Sequence, residues 1–164
     1  DARADAQANT QADARADDSC ARVQARHAHS VSVLFSAYQA ATTADVQRDR
    51  KSCNLAVPVD VQSGVSIGIF RVDYRGNVFV PPVNETFAQF DAEYFFAGQR
   101  GPVVAQKYSP GTASDLFISN EIPVAAIVWS PCGASTNFRV NSAITAFKPT
   151  IGVSQDHFED VEII

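Results

Sequence analysis

The 164-residue chain contains no methionine. A chain translated from its start codon opens on that residue. Its absence leads to the expectation of a processed protein, most simply one that has lost a secretory leader. Cysteine is scarce, with Cys20, Cys53 and Cys132 the full complement. Three thiols fit an oxidising compartment, leave one over, and offer no C-x-x-C pair for redox or zinc chemistry. Positive charge is in the minority, with 13 Lys and Arg against 18 Asp and Glu, a net charge of −5. That argues against nucleic acid or an anionic membrane as main partner, because each needs a basic face. No apolar run is long enough to span a bilayer. The P-loop, the dinucleotide fingerprint and the G-x-S-x-G elbow are also missing, so no cofactor is expected.

What is present is an ordinary globular composition, 46% hydrophobic and 19% charged, with enough residues for one sizeable core. Beyond Cys20 the apolar residues fall at strand spacing. HSVSVLFSAY puts Val31, Val33 and Phe35 on one face. CNLAVPVDV alternates Leu55, Val57, Val59 and Val61, with Pro58 marking an edge strand or a bulge. GVSIGIFRV places Val65, Ile67 and Ile69 together, and DYRGN reads as a turn before VFV restarts a strand. In TFAQFDAEYFFAG, Ala88, Phe90, Ala92, Tyr94 and Phe96 point inward against Gln89, Asp91 and Glu93. DLFIS is a short strand, and IPVAAIVW reads as a strand buried on both faces. NFRVNSAITAF alternates again, and the tail HFEDVEII supplies a last strand. SAYQAATTADVQRDR is the best helical candidate, with a loop equally open. About eight strands with regular turn signals predict an all-β fold, a two-sheet antiparallel β-sandwich of jelly-roll-like kind. Spacing alone leaves a closed barrel open.

Four stretches, RKSCNLAVPV, DYRGNVFV, AEYFFAGQ and IVWSPCGASTNFRVNSAITA, carry a resemblance in order and spacing. Over roughly residues 20–147 the chain resembles the secreted fungal and bacterial family catalogued as domain of unknown function 4360. The resemblance implies a secreted, disulfide-containing β-domain and no particular activity. It places Cys53 and Cys132 at the family's paired positions, implying a disulfide between them. Cys20 matches the cysteine that opens the domain. The family's further C-terminal cysteine is missing from this chain, so Cys20 is expected to be unpaired or intermolecular.

Each candidate site has a plain structural reading beside it. His27 and His29 share a strand face, yet a metal centre needs a third ligand, so no metal is expected. His157 is remote in sequence. Asp91 and Glu93 share the polar face of one strand, near the carboxylate spacing of glycoside hydrolysis. Alternating polar residues on a sheet face ordinarily just meet water, so the chain is not expected to be an enzyme. Tyr74 and Arg75 are explained by a hairpin turn as well as by a ligand. Asn84, in NET after a proline-marked loop, is an expected glycosylation site if the chain passes through a eukaryotic secretory pathway.

The first eighteen residues stand apart. Ala2, Ala4, Ala6, Ala8, Ala12, Ala14 and Ala16 alternate with polar residues. On a helix this pattern leaves no apolar stripe, whereas on an extended strand every alanine lies on one face. A polar linker is the other reading. Extended, the arm would reach about 60 Å at ~3.3 Å per residue. A compact domain of this size is only about 40 Å across. Either the arm folds at ANTQA or it reaches a neighbouring subunit; residues 1–18 are expected to form an extended arm, and residues 19–164 a single β-sandwich domain. The leading functional expectation is a secreted structural subunit that polymerises with copies of itself by strand addition in trans. The alternative is a monomeric secreted binding module for glycans or a host surface.

Overall fold

The computed structural model describes residues 21–27, 30–35, 37–149 and 162–163. The arm over residues 1–18, Cys20, His29 and His157 lie outside the described residues.

The fold is all-β. Strands β1 (Ala21–His27) and β2 (Ser30–Phe35) pair antiparallel as a separate hairpin. The remaining strands are β3 (Ala40–Ala41), β4 (Arg48–Val59), β5 (Arg71–Phe79), β6 (Phe87–Phe96), β7 (Val103–Tyr108), β8 (Ala113–Glu121), β9 (Thr136–Phe147) and β10 (Glu162–Ile163). Their pairing is nested: β3 with β10, β4 with β9, β5 with β8, and β6 with β7, all antiparallel. This stretch is thus one long hairpin whose tip lies between β6 and β7. Two further pairings, β10 with β5 and β6 with β9, roll it up. The result is two four-stranded sheets of order β3-β10-β5-β8 and β4-β9-β6-β7. That order is a jelly roll, in which two sheets share one core.

The alternation in β6 is the clearest link from sequence to packing. Ala88, Phe90, Ala92, Tyr94 and Phe96 are buried, and the residues between them are only half-buried. Each large ring so buried contributes roughly 1.5–3 kcal/mol. Tyr74 comes in from the opposite sheet and packs against Phe90, with ring centres 4.5 Å apart. Leu55, Val140 and Ile144 extend the same core across β4 and β9. Polar groups inside it are joined in sequence: Tyr38 Oη donates to Ser142 Oγ at 3.0 Å, and Ser142 Oγ donates to the Cys53 carbonyl at 3.3 Å. Pro58 lies in β4, which is an edge strand, as a residue without an N–H requires.

Several expectations are corrected. DYRGN is no turn: it runs straight through β5, in register with β8 from Arg71↔Glu121 to Phe79↔Ala113. Nine cross-strand pairs outweigh the local turn preference of Gly76 and Asn77. Val65 to Ile69 form no strand beyond the single bridge Gly68↔Trp129. IPVAAIVW is not a buried strand. Val124–Ala126 make one 3-10 turn, closed by Ala126 N–H donating to the Pro123 carbonyl at 2.7 Å. Its apolar run lacks alternation, and Val124 is largely exposed to solvent. SAYQAATTADVQRDR holds the short strand β3 and a turn instead of a helix. Strand β7 carried no sequence signal: its pattern is almost wholly exposed, so no apolar period betrays it.

The outer face of β5 and β8 is solvated. Ser119 and Arg71 both donate to Asp73, which holds its carboxyl below the usual range, the Ser119 bond contributing most. Arg75 is exposed and lies over the Phe117 ring at 5.3 Å. Tyr74 is a core residue. The DYRG segment is therefore split by the strand period, one residue inward and the next outward, and makes no joint site.

Candidate functional site

The jelly roll gathers its connections at two ends. At one end lie the β4–β5, β6–β7 and β8–β9 connections, residues 60–70, 97–102 and 122–135. Backbone bonds lock them together. Ile122 N–H donates to the Phe70 carbonyl at 2.8 Å, and Gly133 N–H to the Val65 carbonyl at 3.0 Å. Ser130 and Ile67 bond reciprocally: Ser130 N–H to the Ile67 carbonyl at 2.8 Å, and Ile67 N–H to Ser130 Oγ at 2.9 Å. Ser130 is buried, so its hydroxyl is committed to this seam.

Three of the large apolar side chains that face solvent are on these connections: Phe70 at 68% exposure, Val124 at 81% and Trp129 at 51%. Trp129 is held from two sides. Its carbonyl accepts a bond from Gln99 Nε2 at 3.2 Å. Its ring lies on the bare α-carbon of Gly68, where an added Cβ would stand 3.0 Å from Cε3 and 2.6 Å from Ile127 Cγ2. Apart from Asp60, whose carboxylate accepts from Ser135 Oγ at 2.7 Å, these connections carry one charged residue, Arg100. Beneath them, Ile69, Tyr94, Phe96, Ile122, Val128 and Phe138 leave an apolar void of about 10 Å³. That is room for about one water.

The sequence-derived candidates fall elsewhere. Asp91 and Glu93 do share the outward face of β6, with Gln89 Nε2 donating to Asp91 Oδ1 at 2.7 Å. Their cross-strand neighbours on β9 are Ala143 and Asn141, in the middle of a sheet face. His27 lies in β1. Asn84 is exposed in the β5–β6 turn, at the opposite end from Trp129. Thr86, the hydroxyl of its NET triplet, is buried and donates to the Val83 carbonyl at 2.6 Å.

The implied Cys53–Cys132 bridge is corrected. Cys53 is disulfide-bonded and buried, but Cys132 is a free, exposed thiol. Distance explains it. Cys53 sits mid-strand opposite Ser142, whereas a Cβ on Gly133 would stand 3.0 Å from Ser63 Cα, beyond the end of β4. The six residue-to-residue steps from Cys53 to Val59 alone cover roughly 20 Å. A disulfide requires α-carbons within about 7 Å.

Sequence reading passed over Trp129, Phe70, Gly68 and Gln99. In the WSPCG segment the cysteine carries the resemblance, while the tryptophan is the exposed side chain. The one available signal was a tryptophan among Ser, Pro and Gly.

The fold and this end define a jelly-roll β-domain that displays aromatic side chains on one set of locked connections. The chain belongs to the family described as domain of unknown function (DUF4360), matched over residues 16–159. It is also similar to an uncharacterized secreted protein of Arthroderma benhamiae, 26% identical over 118 residues. That match covers 70% of this chain and 47% of the relative, so the chain spans about half the relative's length. No helix among the described residues is long and apolar enough to cross a membrane.

Proposed function

We propose that this is a secreted binding domain without catalytic activity, which meets an extracellular partner through the end built around Trp129. The observation that carries the reading is the grouping of Phe70, Val124 and Trp129 on connections tied together by backbone bonds. Exposed apolar groups gathered on a rigid rim mark an interaction surface, because leaving them in water otherwise has no compensation. Secretion is supported by the secreted relative and by the disulfide at Cys53. Co-sedimentation of the full chain with insoluble extracellular matrix and cell-wall material tests the reading. The wild type should pellet, and the double variant Phe70→Ala/Trp129→Ala should stay in the supernatant. Equal pelleting of both would remove this end from the function.

A second reading keeps assembly through residues 1–18, and the edge of β7 favours it. Among the described residues β7 pairs only with β6, and Val103 on it is largely exposed. An open edge offers unpaired backbone groups to an incoming strand. Replacing Ala4, Ala6, Ala12 and Ala14 with leucine should then abolish filaments in negative-stain images while the melting temperature stays put. Filaments formed by that variant would rule strand addition out.

A further inference from the structure

We infer that the ligand of the Trp129 end is a neutral polysaccharide, bound with a sugar ring stacked on the indole. This rests on the reading of that end as a binding face and adds the chemical class of what it binds.

The shape of the platform comes first. Gly68 leaves no side chain under the indole, so the benzo half of Trp129 rests directly on backbone. Half the residue remains open to solvent, and its backbone is pinned through Gln99 and the Ser130–Ile67 pair. A flat ring fixed before binding loses little freedom on contact. A pyranose presents such a ring with a face of C–H groups, apolar enough to cover indole. Its hydroxyls stay at the rim. Ser63, Ser66 and Gln99 are exposed on the same connections and supply hydroxyl and amide partners there.

Charge then separates the classes of ligand. Phosphorylated or acidic polymers are gripped by clustered Arg and Lys. On the connections of this end Arg100 is the one basic residue, and Arg71, which follows Phe70 at the start of β5, is already paired with Asp73, on a chain of net charge −5. A membrane surface asks for several bulky apolar groups beside a basic rim. Here Phe70, Val124 and Trp129 have no basic rim beside them, since Arg100 is the one basic residue on the connections. A neutral, hydroxyl-rich ligand is what remains complementary.

Extent points to a polymer. The apolar recess lined by Ile69, Tyr94, Ile122 and Phe138 is too small to take a sugar. Phe70, two residues beyond Gly68 and 68% exposed, offers a second ring on the connection that seats the indole.

The test uses the chain's single tryptophan, which makes intrinsic fluorescence a report on Trp129 alone. The full-length protein is titrated with neutral cello-, laminari-, chito- and manno-hexaose, with polygalacturonate, and with phosphatidylcholine/phosphatidylserine vesicles. At least one neutral hexaose should give a saturable change in emission. By calorimetry Trp129→Ala should weaken that binding tenfold or more, while Trp129→Phe, which keeps a ring, should hold it within a few-fold. If none of the four hexaoses changes the emission while the protein still pellets with matrix material, the ligand class is overturned and the binding-domain reading stands. A change with vesicles or polygalacturonate only would overturn it in favour of those ligands. If the protein does not pellet either, both readings fall together.

Discussion

Trp129 lies on Gly68: the glycine's missing side chain is the seat of the indole, and the isolated bridge between the two residues holds them in register. Alanine at position 68 would press within 3.0 Å of Cε3 and 2.6 Å of Ile127 Cγ2. Gly68→Ala should therefore red-shift the emission of Trp129 as the ring lifts into water. Stability should fall by about 1–3 kcal/mol, the usual cost of overpacking. An unchanged spectrum with unchanged melting would show that the ring is not seated there.

The tyrosines should resist alkali. Burial pushes Tyr38 up to about 12, against the opposing hydrogen bond with Ser142. Burial also raises Tyr74, Tyr94 and Tyr108. These folded values lie above the unfolded value near 10. Their contribution to stability is thus complete below pH 10 and is lost as pH climbs through 12. Absorbance titration near 295 nm should show little phenolate at pH 10, then a cooperative rise as the fold opens. A non-cooperative titration centred at 10 in folded protein would contradict the burial.

Tyr74 is a case by itself. Its hydroxyl is close enough to that of Tyr94 for each to act on the other's ionisation, yet no bond of proper geometry forms and the Tyr74 hydroxyl is buried without a partner among the described residues. Removing an unsatisfied buried hydroxyl removes its desolvation cost. Tyr74→Phe should leave stability unchanged or raise it by about 1 kcal/mol in urea unfolding. A loss above that size would mean the hydroxyl has a partner in solution.

The cysteines separate by accessibility. Native protein treated with iodoacetamide should be alkylated at Cys132, and Cys53 should stay protected in its disulfide. Non-reducing peptide mapping should find Cys53 in a disulfide and Cys132 outside it. A Cys53–Cys132 peptide would restore the family-derived pairing.

Core packing gives the largest expected effect. Phe90 is buried under Tyr74, and Phe90→Ala should cost about 3–5 kcal/mol by calorimetric melting. A cost below 1 kcal/mol would mean that the two sheets do not share this core.

The sequence by itself determined the strands whose period is strict. β6 was legible residue by residue because Ala88 to Phe96 bury alternate positions. Pro58 narrowed β4 to an edge strand or a bulge because it lacks an N–H, and the sheet order made it an edge. Only the tertiary structure decided the rest. DYRGN became strand because its partners in β8 lie some forty residues away, and a local turn preference carries no information about them. IPVAAIVW became an exposed connection because hydrophobicity without alternation does not say which way it will face. The Trp129 platform could not be read in advance. Its parts, Gly68, Gln99 and Trp129, come from three separate connections, and only the rolling of the nested hairpin brings those to one end.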